Sequence, residues 1–424
     1  MHVLWLVSMT LPQAALACGL SHASDVSGGW LTGQLTALRG RADLQLTVAC
    51  VNGQCKEALC GEHGGVTYRI LPGGGDFSRL LQAVHPDLVH IWGTEYAAAA
   101  AMDQAARALG LPVLVGIQGV MEDCAAHLCD GVPEAYLHST PLDRALDRLI
   151  PGALLDKLQS SFDALARSEA ALLGTARHVT GRTGFDRRAV ERLAPLARYY
   201  PCNETLRPLF YEGPLWQPRD FGRGPVVLLS QGNYPLKNLH TVLQAMPAIL
   251  QRWPDARLRI AGWPPLDKGP LLRPLIVRLF PYQRYCRRLA EALGVAGHIR
   301  YTGPLDAAAM RQAYLDADLF LLPSSSENSP NSLGEAMLLG LPCVASRAGG
   351  IPDMLTDGTE GRLYGQALDA DGLARTVTAV LSAPDSGAAL GQAARRRALH
   401  THDPAANADA LCGIYQTILQ EDAR

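Results

Sequence analysis

The stretch LFLLPSSSENSPNSLGEAMLLGLPCVASRAGGIPDMLTDGTEGRLY, Leu319 to Tyr364, carries the reading of the fold. Leu319–Leu322 is a short apolar run that ends at Pro323 and opens into a polar loop, Ser324 to Asn331. That is the pattern of a strand buried on both faces feeding a loop. A helix is predicted from near Ser332, a good N-cap residue type, to Leu339, with Gly340 closing it. Strand Cys343–Ser346 follows, and then a second loop, Ala348-Gly349-Gly350. A polar loop running into a helix start offers unused backbone N–H groups and a positive dipole end, which suits a diphosphate. Glu335 falls near the first turn of that helix, and Glu327 lies in the loop, closer to whatever follows the phosphates.

Outward from this segment, strand-like and helix-like stretches alternate, the mark of a parallel sheet covered on both faces. Towards the N-terminus the predicted strands are Val3–Val7, Leu44–Ala49, Leu88–Ile91, Val113–Ile117 and His178–Thr180. Helices are predicted at Ala97–Leu109, which Gly110 and Pro112 terminate, and at Ala153–Gly174. The scheme restarts with strands at Val226–Ser230, Leu258–Ala261, Ile299–Thr302, Leu319–Leu322 and Cys343–Ser346. Between the halves, Tyr199 to Arg223 contains Pro201, Pro208, Pro214 and Pro218 and reads as a linker. A chain of 424 residues also exceeds one comfortable core. The expectation is an α/β protein of two facing Rossmann-like domains, 1–205 and 206–424, with a cleft between them. The last helix, from about residue 405, is expected to return to the first domain.

Composition narrows the class. Hydrophobic residues make up 48% and charged residues 18%, as in a folded protein. The 38 Lys+Arg against 40 Asp+Glu leave a net charge of −2, which argues against a nucleic-acid binder. No run of about 18 apolar residues is present to suggest a membrane span. The N-terminal MHVLWLVSMTLPQAALACG lacks the basic start of a secretory signal and reads as a first strand and loop. Cys50, Cys55 and Cys60 with His63, and Cys124, His127 and Cys129, lack paired C-x2-C spacing, so no metal site is expected.

The Leu319–Tyr364 segment resembles the signature of family 4 glycosyltransferases, which have the glycosyltransferase-B architecture. The resemblance rests on Glu327 and Glu335 separated by seven residues, then Glu335-Ala336-Met337, Gly340-Leu341-Pro342 and Gly349-Gly350-Ile351-Pro352. It implies that Glu327 contacts hydroxyls of the transferred sugar and Glu335 the ribose of the nucleotide. It further implies that backbone groups at Asn331, Ser332 and Leu333, and the Gly349-Gly350 loop, meet the donor. Lys237, after strand Val226–Ser230, is similar to the family's diphosphate-binding lysine, although Gly232 stands where the family usually carries an arginine. Gly28-Gly29 resembles the family's N-terminal glycine loop, and Arg182 a cleft arginine that binds donor or acceptor. Gln118 occupies a place where many members have a histidine, and glutamine cannot serve as a titrating base. His90 and Glu95 stand as candidates for acceptor contacts, beside ordinary strand-end roles, and Tyr199–Thr205 resembles the segment before the family's interdomain linker.

The resemblance implies a retaining transfer of a hexosyl or N-acetylhexosaminyl group from a UDP- or GDP-linked sugar, with Glu327, Lys237 and Gln118 nearest the chemistry. No cofactor or bound metal is implied. The acceptor class is a glycan or lipid-linked oligosaccharide, the setting bacterial surface polysaccharide assembly, in the cytoplasm or at the inner face of the membrane. Leu271–Leu293, with Arg273, Arg278, Arg284, Arg287 and Arg288, reads either as an interfacial segment or as an exposed helix interrupted by Pro281. Three other readings remain: a nucleotide-sugar epimerase, which lacks the Ser-rich glutamate block; a nicotinamide dehydrogenase, for which no G-x-G-x-x-G turn follows a strand; and a donor-binding partner subunit without catalysis, which Gln118 and Gly232 favour and Glu327 and Lys237 oppose.

Overall fold

A computed structural model describes residues 1–20, 28–149, 154–222, 224–262 and 279–422. The chain divides into two compact units. Met1–Met121, Leu165–Arg207 and Thr401–Arg424 form the first, and Glu122–Ala164 with Pro208–His400 form the second. A single cut after residue 205 therefore does not describe the chain. The segment 122–164 belongs with the second unit, and the first is assembled from three separate pieces.

The first unit's sheet contains β1 (His2–Val7), β2 (Gln45–Val51), β3 (Leu59–His63), β4 (Val66–Leu71), β5 (Leu88–Trp92), β6 (Val113–Gly116), β7 (His178–Gly181) and β8 (Arg198–Pro201). Their order is β3-β4-β2-β1-β5-β6-β7-β8, all parallel except the antiparallel pair β3 and β4. Central strands such as β1 and β5 are apolar along nearly their whole length because helices cover both faces. Three strands of this sheet escaped the sequence reading. β4 alternates buried Val66, Tyr68 and Ile70 with half-buried residues, and β3 is a half-exposed edge. β8 lies within the stretch read as linker, its proline at the strand's end where a missing N–H costs little.

The second unit holds β9 (Val226–Leu229), β10 (Arg257–Ile260), β11 (Ile299–Tyr301), β12 (Leu319–Leu322), β13 (Cys343–Ala345) and the two-residue β14 (Arg362–Leu363). The order β11-β10-β9-β12-β13-β14 reverses direction between β9 and β12. In such a sheet the crevice at the carboxyl ends of the strands flanking the reversal is where ligands bind. Both units are thus Rossmann-like. Pro281, expected to break a helix, opens one instead: Pro281–Ala292 begins with the proline in its first turn, where the missing N–H is unneeded. On that helix Arg284 pairs with Asp143 at 3.0 Å and Arg287 with Glu291 at 3.0 Å, so these cations face their own chain. Residues 271–278 of the arginine-rich stretch, and Ser27 beside the N-terminal glycines, lie outside the described residues. No described helix is long and apolar enough to cross a membrane.

The helix Pro404–Asp422 packs on the first sheet, and its most deeply buried polar tie is the Tyr415 hydroxyl. Tyr415 Oη accepts the indole N–H of Trp5 at 2.8 Å and lies 2.7 Å from His90 Nδ1, all three residues being fully buried. His90 stacks on Trp92 with ring centres 4.0 Å apart. His90 is therefore a core residue rather than an acceptor contact, and burial drives its pKa well down, keeping it neutral. Replacing Tyr415 by Phe leaves the Trp5 N–H and His90 Nδ1 without that partner inside an apolar core. The expected loss is about 1–3 kcal/mol of unfolding free energy, read from urea denaturation followed by Trp fluorescence.

Candidate functional site

The loops after β9 and β12 meet at the reversal point of the second sheet. After β9 the chain turns through Pro235–Lys237 into Asn238, which is left-handed at φ 56°. Asparagine tolerates that conformation, and here its side chain also locks the loop. Asn238 Nδ2 donates to the carbonyls of Pro323 (3.1 Å) and Ala367 (2.5 Å), while Oδ1 accepts from Thr241 at 2.7 Å. Lys237 is thereby delivered to the end of β12. Its Nζ donates to Glu327 Oε1 at 2.5 Å, and Ser324 Oγ donates to the same oxygen at 2.7 Å. The ammonium also stands 5.8 Å from the centre of the Tyr234 ring. The two charged side chains are only 15% and 13% exposed. Burial lowers the Lys237 pKa, yet the Glu327 carboxylate outweighs it and holds the pKa above the usual lysine value.

Glu327 is fixed from behind by the glycine loop. Gly350 N–H donates to the Glu327 carbonyl at 2.9 Å. Gly349 has φ +51°, and a Cβ there would stand 1.9 Å from that same carbonyl oxygen. The Gly349 requirement is thus met inside the protein, by close approach to the Glu327 backbone. The N-terminal pair behaves likewise: a Cβ on Gly28, at φ +74°, would meet Met9 Sδ at 2.5 Å, and one on Gly29 would meet Arg207 Cδ at 2.4 Å. Gly232 is enclosed by Ile260 and Leu239, 3.2 and 3.3 Å from where its Cβ would stand.

The following helix runs Asn331–Leu339 with Pro330 at its N-cap, so Ser332 lies inside the first turn and caps nothing. Gly340, left-handed at φ 77°, closes it. The Leu333 amide is engaged by the Pro330 carbonyl at 3.0 Å, which removes it from the set expected to meet a diphosphate. Asn331 and Ser332 stand at the start of the helix, where no intrahelical carbonyl precedes their N–H groups. Glu335, 5% exposed, sits one turn further in. Around this start lie buried polar atoms with no hydrogen-bond partner among the described residues: Ser325 Oγ, both amide atoms of Asn328, and Asn331 Oδ1. Buried polar atoms are normally satisfied, so a cluster of orphans beside a helix start implies a polar ligand. The sequence reading missed Asp123 and Cys124, which the 122–164 segment brings to the same loop. Asp123 accepts from Ser326 Oγ, and Cys124 Sγ is 3.7 Å from it. Burial pushes the Cys124 thiol up to about 11. Only their distance along the chain hid them.

In the first unit, Gln118 follows β6 and Arg182 follows β7, and the structure joins both to Glu204. Arg182 Nη1 lies 2.9 Å from Glu204 Oε2, with side chains 4% and 3% exposed. The same nitrogen donates to Gln118 Oε1 at 3.0 Å, Nη2 donates to the Gln118 carbonyl at 3.0 Å, and Asp186 lies 3.8 Å from Nε. Burial disfavours the charged guanidinium, but Glu204 and Asp186 more than restore it. Arg182 is accordingly committed to its own chain and is not a free cation for a donor. Glu95 folds back so that Oε2 accepts from the Thr94 amide at 2.8 Å, over Gly93 at φ +100°, and burial raises its carboxyl pKa. Glu204 went unrecognised, although it lies in the Tyr199–Thr205 stretch singled out above. Behind it, His402 Nδ1 bonds the Glu204 carbonyl at 2.8 Å, and burial lowers this imidazole to about 4.

Residues 217–397 match the family model described as glycosyl transferases group 1. The GDP-mannose-dependent alpha-(1-6)-phosphatidylinositol monomannoside mannosyltransferase of Mycolicibacterium smegmatis is 31% identical over 185 residues, 42% of this chain and 44% of that protein. The chain thus matches less than half the length of this curated relative. Among solved structures, sucrose-phosphate synthase from Thermosynechococcus elongatus superposes with a TM-score of 0.70 at 16% identity, covering 99% of each chain. The Anabaena protein HepE in complex with UDP-glucose gives 0.64 at 16% identity, again over 99% of each chain. At these identities the structural likeness is one of fold.

Gly349→Ala forces a methyl into the Glu327 carbonyl at an unfavourable φ, and a loss of about 2–4 kcal/mol in chemical denaturation is expected. His402 gives a pH dependence. Its folded pKa of about 4 lies below the ordinary 6.5, so its contribution is complete above pH 6.5 and is lost as pH falls towards 4. Stability is expected to decline by about 3 kcal/mol across that window from this residue. His402→Gln, which keeps an N–H for the Glu204 carbonyl, should flatten that part of the slope.

Proposed function

Since residues 217–397 match the family model of glycosyl transferases group 1, we propose that the chain transfers a sugar from a nucleoside-diphosphate donor to an acceptor hydroxyl with retention of configuration. The observation that carries the reading is the buried Lys237–Glu327 pair at the β9/β12 reversal, beside a helix start ringed by unpartnered Ser325, Asn328 and Asn331 atoms. In this reading Lys237 and the first amides of the Asn331–Leu339 helix meet the diphosphate, Glu335 the ribose and Glu327 the sugar hydroxyls. Gln118 lies on the acceptor side. As the bond from the sugar carbon to the diphosphate oxygen breaks, negative charge grows on the leaving group, and a fixed ammonium stabilises it without reorganisation. The acceptor oxygen forms the new bond on the same face, and its proton passes to the departing diphosphate. The chemistry then calls for neither a titrating protein base nor a metal ion.

The relative named for GDP-mannose and the neighbour solved with UDP-glucose support a GDP- or UDP-linked donor, hexosyl or N-acetylhexosaminyl. A glycan or lipid-linked acceptor in bacterial surface polysaccharide assembly, at the inner face of the membrane, completes the proposal. A donor-binding subunit without catalysis is the second reading, favoured by the enclosed Gly232 and the absence of a histidine at Gln118.

Thermal melting against UDP, GDP, UDP-glucose and GDP-mannose at millimolar concentration tests the donor site. One base is expected to raise the melting temperature by several degrees, and Glu335→Ala to abolish the shift. Release of nucleoside diphosphate from the matching sugar donor should fall about 100-fold or more in Lys237→Ala. Binding without any turnover across a broad acceptor panel would favour the silent subunit, and no binding at all would remove the donor reading.

A further inference from the structure

Gln118 cannot exchange a proton, yet its side chain and its backbone carbonyl are both hydrogen-bonded to buried charged groups. Its amide lies between two buried ions of opposite sign, and their chemistry settles its orientation. Glu204 can only accept and Arg182 can only donate, so the amide nitrogen must face the carboxylate and the amide oxygen the guanidinium. The distances agree: Gln118 Nε2 donates to Glu204 Oε1 at 2.7 Å, and Gln118 Oε1 accepts from Arg182 Nη1 at 3.0 Å. The ions clamp each other at 2.9 Å, and Arg182 Nη2 holds the Gln118 carbonyl, so side chain and backbone are fixed together. These three residues, with Trp92, Thr180 and Cys202, line a small cavity in the first unit. Around it, Arg182 Nε, one oxygen of Asp186, Glu204 Oε2 and the Trp92 indole nitrogen are buried without a hydrogen-bond partner among the described residues, Glu204 Oε2 being held by the ion pair alone. His402 fixes the Glu204 backbone from the far side. The arrangement spends a buried charge pair on the direction of one amide.

We propose that Glu204 is a positioning residue for the transfer reaction, acting through Gln118 by fixing its amide so that the remaining N–H is presented as a non-titrating donor to the acceptor oxygen. This deepens the glycosyltransferase reading and rests on it. Arg182 is the counter-charge of the device rather than a ligand for the donor. A histidine at position 118 would lie against the Glu204 carboxylate and change its charge with pH. The amide supplies the same directionality with no such dependence.

The test is a double-mutant cycle on the full chain, with nucleoside-diphosphate release from UDP-glucose and GDP-mannose as readout. Glu204→Gln removes the charge opposite buried Arg182 and can unfold the protein, so Glu204→Asp serves beside it, keeping the charge while withdrawing the oxygen from Gln118. The expected result for Glu204→Asp is a melting temperature within a few degrees of the parent, an unchanged nucleotide-induced thermal shift, and about a tenfold or greater loss of turnover. In a Gln118→Ala background the same substitution should cost nothing further. A full additional loss in that background, or unaltered turnover in Glu204→Asp alone, overturns the proposal. Failure of the parent protein to bind any nucleotide would instead overturn the donor reading beneath it.

Discussion

An ammonium withdrawn from water must be given a counter-charge, and the second unit is arranged around meeting that demand for Lys237. Glu327 supplies the charge, Ser324 shares the same oxygen, and the Asn238 side chain ties the two loops that carry them. Each element has its reason in turn. The reversal of strand order brings the ends of β9 and β12 side by side, and a glycine at 349 lets the neighbouring loop close on the Glu327 carbonyl. Removing either charge leaves the other stranded, which is far costlier than never having had the pair. A site so interlocked is prepared before any ligand arrives, and preorganisation of this kind is what charge-stabilising chemistry needs.

The first unit meets the same physical problem differently. Arg182 and Glu204 are more deeply buried than Lys237 and Glu327, and they pair with each other at 2.9 Å. Both clusters include unsatisfied buried polar atoms, but both terminal nitrogens of Arg182 are engaged by Gln118 within its own unit, whereas the Lys237 ammonium bonds the Glu327 carboxylate at the sheet's reversal point. The contrast separates a charge set out for a ligand from a charge used as a strut. Position at a strand end does not distinguish the two, because both residues follow parallel strands.

That distinction explains what the sequence could and could not reveal. Buried central strands announce themselves as apolar runs, and β1, β5, β9 and β12 were legible for that reason. Edge strands such as β3 and β8 carry half-exposed, mixed residues and look like loop. The Glu327–Glu335 block was visible because a strand, a polar loop and a helix start coincide within a few residues. Glu204, Asp123 and Cys124 were invisible as site residues because their partners are Gln118, 86 residues away, and Ser326, more than 200 away. Glycines carry a double meaning. Gly349 stands against the Glu327 backbone, and Gly28 and Gly29 against the Met9 and Arg207 side chains, contacts that sequence cannot separate from room made for a ligand.

The tie between Trp5 and Tyr415 spans 410 residues. On a ribosome the strand that carries Trp5 emerges 410 residues ahead of Tyr415 and must wait for it before this part of the core is closed. The unbroken stretch Pro208–His400 carries its whole sheet and is finished before then. The order of synthesis and the order of completion are therefore inverted. The unit begun first is completed last, and until then its apolar strands are the surface that a nascent-chain chaperone would have to shield.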